Sequence, residues 1–257
     1  TLSIALATSA ESLYQPAPVE VKRILASSIL GAGVKSRYEG HTGAVLTTTF
    51  SNDGRYALSA SADGTVRIWE NATHQFVREI SLGDALITRI AYHPTEQQFV
   101  VGTTLNSVIL FSLDGEEIRR FEGHTDMVTS LAFSGDGTQL LTGSLDRTLR
   151  LWDVATGDEI RVFEGHIGVV LDVDLSKDGK YAVSSSGDET IGTIGTDAVE
   201  RTVRVWDVAT GETLHEFKLN SGFVRAVAIS PDSKYVVAGS WDGSQGGKLT
   251  LWDMETG

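Results

Sequence analysis

Three groups of Asp, His and Ser recur along this chain at matching distances from a tryptophan. His41, Ser61, Asp63 and Trp69 make the first; His124, Ser144, Asp146 and Trp152 the second; His166, Ser186, Asp188 and Trp206 the third. A carboxylate, an imidazole and a hydroxyl are the ingredients of nucleophilic acyl transfer, in which the acid orients a histidine that takes the hydroxyl proton. A catalytic triad is needed once, however. Three copies at one period point to a structural role, and no catalytic residue is assigned.

Other candidate chemistry is thinner still. The run "GSQGGK" at 243–248 resembles a phosphate loop, but lacks its first glycine and has Leu249 where a Ser or Thr would hold magnesium. His74, His93 and His215 fall in two turns and an outer strand, and none has a metal-ligand spacing. The sequon "NAT" at 71–73 matters only in a secreted eukaryotic protein. With no cysteine, a disulfide framework, a zinc-thiolate site and a cysteine nucleophile are excluded. The reading is therefore no enzyme, no cofactor and no metal.

The elements that carry these residues repeat. Trp69, Phe111 and Trp152 are 42 and 41 residues apart, and Trp206 and Trp252 follow at 54 and 46. Five units result, covering about 40–80, 81–122, 123–164, 165–218 and 219–257. Within the third, "MVTSLAF", "TQLLTGS", "LRLWD" and "DEIRVFE" alternate with the turn signals "SGDG", "LDRT" and "VATG". These are four short strands joined by tight turns, hence one small antiparallel sheet per unit. A lone sheet of this size leaves both faces exposed, so the sheets must stack.

The Gly-His start, the Ser-x-Asp turn and the Trp-Asp end, carried in whole or in part by most of the five units over residues 40–257, resemble the WD40 β-propeller family. The resemblance implies an all-β propeller of four-stranded blades, residues 33–257, after a short helical segment, residues 1–32. It implies that histidine, Ser or Thr, Asp and Trp form a hydrogen-bonded chain inside each blade. Unit five keeps Ser240, Asp242 and Trp252 but has Asn220 for the histidine; unit two has Gly83, Thr103, Leu105 and Phe111, and must rely on apolar packing. The resemblance also implies a top face made by d–a and b–c loops and a bottom face made by a–b and c–d turns.

The bottom turns are nearly uniform, whereas the top face diverges. Met127, Leu145, Phe223 and Trp241 would place apolar groups on its polar rim, and aromatics dominate interface hot spots. The largest departure is unit four, where twelve additional residues, 189–200, separate Asp188 from the strand ending in Trp206. They lie in the b–c connection, either as a loop or as a protruding hairpin, and bring Ile191 and Ile194 to the same face. The expected function is a noncatalytic scaffold binding a protein partner there. The alternative is a regulatory propeller within a larger bacterial signalling protein, since residues 1–32, with helical spacing around Pro16 and Pro18, also resemble the stretch preceding the propeller in STAND regulators.

Composition agrees with this class. A net charge of −13 disfavours a phosphate backbone, so nucleic acid is not the expected partner. No apolar run approaches a membrane span, and the opening lacks the basic region of a signal peptide; a cytoplasmic location is expected. The absent initial Met favours a stretch of a longer polypeptide with room for further domains. Pairing of residues 33–38 with residues 249–253 would instead indicate a closed five-blade ring.

Overall fold

The computed structural model describes residues 36–187, 201–219, 223–241 and 246–257. The helical segment expected at 1–32 and the connection at 189–200 lie outside the described residues. All the described regular structure is β-strand. Sheet one contains β1 (Val45–Phe50), β2 (Tyr56–Ser61), β3 (Thr65–Glu70) and β4 (Gln75–Ser81). Sheet two contains β5 (Ile87–Tyr92), β6 (Gln98–Thr103), β7 (Val108–Ser112) and β8 (Glu117–Phe121), and sheet three β9 (Val128–Phe133), β10 (Gln139–Ser144), β11 (Leu149–Asp153) and β12 (Glu159–Phe163). Sheet four has β13 (Val169–Leu175), β14 (Tyr181–Gly187), β15 (Thr202–Asp207) and β16 (Thr213–Lys218). Sheet five has β17 (Phe223–Ile229), β18 (Tyr235–Trp241) and β19 (Gly247–Asp253).

Every pairing is antiparallel between consecutive strands, so each sheet is a meander. Residues 36–41 form no strand, and β19 is paired on one side, with β18. Tyr38 stacks instead on Trp69, ring centroids 5.2 Å apart, and donates its hydroxyl to Asn71 Oδ1.

The sheets stack through their first strands, β1 on β5, β5 on β9, β9 on β13 and β13 on β17. Each apolar core lies between two sheets rather than within one. Leu58, Val66 and Ile68 of sheet one meet Ile87, Phe99 and Phe111 of sheet two; Leu141, Leu149 and Leu151 of sheet three meet Val170, Val173 and Trp206 of sheet four. Alternation along the strand supplies both faces, because residues two apart share a side.

Polar bonds at the bottom turns reinforce this stacking. Asn52 donates to His93 O and Pro94 O, His93 Nε2 donates to Gly137 O, and Gly135 N donates to Lys177 O. The fourth strand contributes a clasp to the next sheet's c–d turn. Arg119 donates to Thr156 O, Arg161 to Thr210 O and Ala209 O, and His215 to Met254 O.

Candidate functional site

In sheet three, His124 Nδ1 lies 2.7 Å from Asp146 Oδ2, and His124 Nε2 lies 2.7 Å from a hydroxyl. That hydroxyl belongs to Thr142, not to Ser144. Trp152 Nε1 donates to the same Thr142 Oγ1 at 2.9 Å. Sheet one repeats the chain through Ser59, which meets His41 Nε2 at 2.8 Å and accepts from Trp69 at 2.9 Å, while His41 Nδ1 is 3.0 Å from Asp63. Sheet four uses Ser184 between His166 and Trp206; Asp188 lies outside the described residues.

The expected hydroxyls at Ser61 and Ser144 are thus corrected by two residues. The registers explain why. Trp152 stands opposite Leu140, which places Thr142 on its diagonal and Ser144 a further step away. Ser61 and Ser144 serve the turn instead, accepting from the N–H of Asp63 and Asp146. Ser186 and Ser240 occupy the same register position as these two, one step beyond Ser184 and Ala238. The corresponding residue of sheet two is Val101, so there hydroxyl, histidine, acid and indole are all replaced.

The carboxylates are held ionised. Burial works against the charged form of Asp63, but hydrogen bonds from the Thr65 hydroxyl, Thr42 N–H and His41 outweigh it and keep its pKa below the ordinary carboxylate range. For Asp146 burial is again outweighed, chiefly by His124 and Thr148. With the ring proton on Nδ1 facing Asp146, Thr142 donates to Nε2 while accepting from Trp152. This is triad-like geometry without access: Thr142 is fully buried and its oxygen is already engaged.

The residues that differ most between units lie at the top of the sheets. In sheets one to three the d–a loop is bonded to its own b–c turn: Ala62 N to Ala44 O, Thr104 N to Leu86 O and Leu145 N to Met127 O. Met127 and Leu145 are half-buried. Phe223 and Trp241 stand opposite one another at the top of sheet five, but their side chains lie outside the description, as do Ile191, Ile194, Asn220 and Asp242.

Three other apolar residues are more open: Leu86 at 46%, Leu105 at 62% and Ile167 at 67% exposure. Leu105 occupies the turn position of Asp63 and Asp146. Having no carboxylate to gather loop N–H groups, it points outward, and Thr103 Oγ1 closes the turn by accepting from Leu105 N and donating to Ser107 O. The signal was present in the repeat comparison, as a leucine where an acid recurs.

The adjoining tops are in contact. A Cβ added at Gly102 would lie 3.1 Å from Val128 Cγ1, and Thr129 Oγ1 donates to Val170 O at 2.8 Å. Leu86, Leu105, Met127, Leu145 and Ile167 therefore rise from three abutting sheets. No group of His, Cys, Asp and Glu among the described residues could hold a metal ion.

Stacked antiparallel meanders, three of them stiffened by a polar chain of histidine, hydroxyl and indole and all differing at one end, define a repeat scaffold. The family model described as WD domain, G-beta repeat matches residues 33–70, 115–153, 157–192 and 211–244, more than half of the chain. The chain belongs to the WD40 repeat family. The unmatched stretch 71–114 holds most of sheet two, the sheet that lacks the polar chain.

Similar proteins include human WD repeat-containing protein 3, 30% identical over 143 residues, which are 55% of this chain and 14% of that protein. Pre-mRNA-processing factor 17 of Saccharomyces cerevisiae is 32% identical over 128 residues, 47% of this chain and 28% of that protein. WD repeat-containing protein 18 of Danio rerio is 35% identical over 109 residues, 37% of this chain and 25% of that protein. The chain thus spans well under a third of these relatives' length. WD-repeat proteins act generally as scaffolds for protein interactions. No helix of the described residues is long and apolar enough to cross a membrane.

Proposed function

We propose that this chain is a noncatalytic scaffold that holds a protein segment against the top face of its stacked sheets. The observation that carries the reading is the exposure of Leu86, Leu105 and Ile167 on the face where the repeats diverge. Scattered exposed leucines are ordinary; apolar residues gathered on adjoining turns with a polar rim are the signature of an interaction site. Met127 and Leu145 extend the patch, and the aromatic pair Phe223 and Trp241 with Ile191 and Ile194 would continue it across sheets four and five. A hydrolytic role is disfavoured, since the hydroxyls of Thr142 and Ser184 are buried and that of Ser59 is taken up by His41 and Trp69.

The test is affinity capture with the protein, comparing wild type, Leu105→Ser/Ile167→Ser and the bottom-turn variant Lys177→Gln. Loss of the same bound protein from the double variant alone is the expected result. Equal recovery by all three would overturn the reading.

A further inference from the structure

Resting on that reading, we infer that the segment taken by the top face is basic as well as apolar, with Lys or Arg beside aliphatic or aromatic residues. The apolar centre is rimmed by acid. Glu39, Asp84, Glu122, Asp126 and Glu164 are exposed on the d–a loops, one or two per sheet, and Asp63 and Asp146 lie in the turns beside them with their carboxyls held ionised. Among the described residues none of the five loop carboxylates forms an ion pair within 4 Å. Against them the same loops and turns set only Arg37, Arg147 and Arg201, among the described residues.

Along the fourth strands, by contrast, the acids are neutralised. Glu79, Glu159 and Glu216, on the fourth strands, are each paired with an arginine of the strand beside them, Arg67, Arg150 and Arg204. Charge is thus balanced along the sheet edges and left unbalanced around the apolar patch. With a net charge of −13 the whole molecule steers cations, and the top-loop acids set part of that charge on the loops that carry the apolar patch. An acidic or uncharged segment would gain the apolar contacts but meet like charge or unsatisfied carboxylates at the rim.

A random peptide library displayed on phage, selected against the immobilised protein, tests both layers. Selected peptides are expected to carry Lys or Arg next to Leu, Phe or Trp and to bind more weakly as salt rises. Leu105→Ser/Ile167→Ser should lower their affinity about tenfold or more. Glu122→Gln/Glu164→Gln should lower it severalfold and flatten the salt dependence, while Lys177→Gln binds as wild type.

Peptides that respond to Leu105 and Ile167 but lack basic residues, or that ignore the glutamine variants, would overturn the inference and leave the top-face reading standing. Peptides indifferent to Leu105→Ser/Ile167→Ser, or no enrichment at all, would overturn both. Circular dichroism of each variant, all at exposed positions, separates lost binding from lost folding.

Discussion

Thr142→Val isolates the buried polar chain with least disturbance, because valine keeps the shape of threonine and removes only its hydroxyl. Two contacts vanish together: the bond from Trp152 Nε1 at 2.9 Å and that to His124 Nε2 at 2.7 Å. Both side chains are nearly inaccessible to water, so each polar nitrogen is left unsatisfied rather than rehydrated. At about 1–3 kcal/mol per stranded group, the expected cost is about 2–5 kcal/mol.

The protein contains its own control, since sheet two has Val101 and Phe111 at these two positions, both buried, without either polar group. Adding Trp152→Phe to Thr142→Val should therefore cost less than the two single changes together. The indole N–H is then no longer present to be stranded, and a coupling of about 1–2 kcal/mol is expected. Urea unfolding of the four species closes the cycle, with an unchanged m-value as the condition for comparing midpoints. Additive losses, or a Thr142→Val cost below about 0.5 kcal/mol, would refute the claim that this chain of bonds stiffens the sheet.

Arg147 is held at φ 73°, where sheet one has Gly64 and sheet two Asn106; Arg147→Gly should raise the urea midpoint by about 1 kcal/mol of relieved strain, and a fall would show that the arginine supports its turn. His215→Arg should let a guanidinium make two bonds to the c–d turn of sheet five, as Arg161 does in sheet four, adding about 0.5–1.5 kcal/mol. Slower amide exchange in β17 and β18 is the readout, and unchanged exchange counts against the clasp. Acid should destabilise the protein in two stages. Burial lowers the pKa of His93 below 6.5, so the unfolded chain takes up that proton first, and stability is lost as pH falls from about 6.5 towards the folded pKa. The second stage comes from Asp63 and Asp146, whose depressed pKa values give stability that is present above about 3.9 and lost as pH falls below it. His93→Gln should remove the first slope and Asp63→Asn/Asp146→Asn the second, each read by urea midpoints across pH; slopes that survive would show other groups responsible.

The strands were legible because their signals are local. Alternation of two and the turns "SGDG", "LDRT" and "VATG" define four segments per unit, and the pairings follow them. The polar chain was legible as a set of residue types but not as a set of contacts. Thr142 and Ser144 are two apart, so they share a side and a burial class, and only the register against Trp152 distinguishes them. Aligning Ser59, Val101, Thr142, Ser184 and Ala238 would have shown a hydroxyl absent in sheet two, where the indole is also absent, and in sheet five, where Trp252 is kept but the histidine is not. The clasp of Arg119, Arg161 and His215 was hidden for a different reason: its acceptors are backbone carbonyls of the next unit, which carry no residue signature.

Those same contacts explain why divergence gathers at one end. The bottom turns bind neighbouring sheets to one another, through Asn52 and His93, Gly135 and Lys177, and the fourth-strand clasps. A change there is felt by two sheets at once, so one turn design recurs: a serine bonded to an aspartate two residues on, in Ser51, Ser134, Ser176 and Ser230. Sheet two departs from it only by giving both tasks to one ring, with His93 Nδ1 accepting from Thr95 N and Glu96 N while Nε2 reaches the next turn. In sheets one to three a backbone rung, such as Leu145 N to Met127 O, ties the top turn to its loop whatever the side chain, and Asp63 and Asp146 add bonds only within their own sheets. Leucine can replace aspartate at position 105, and a long connection can enter after β14, without altering the stacking below. Stability is thereby concentrated where the sequence repeats, and the face that is free to vary is the one proposed for recognition.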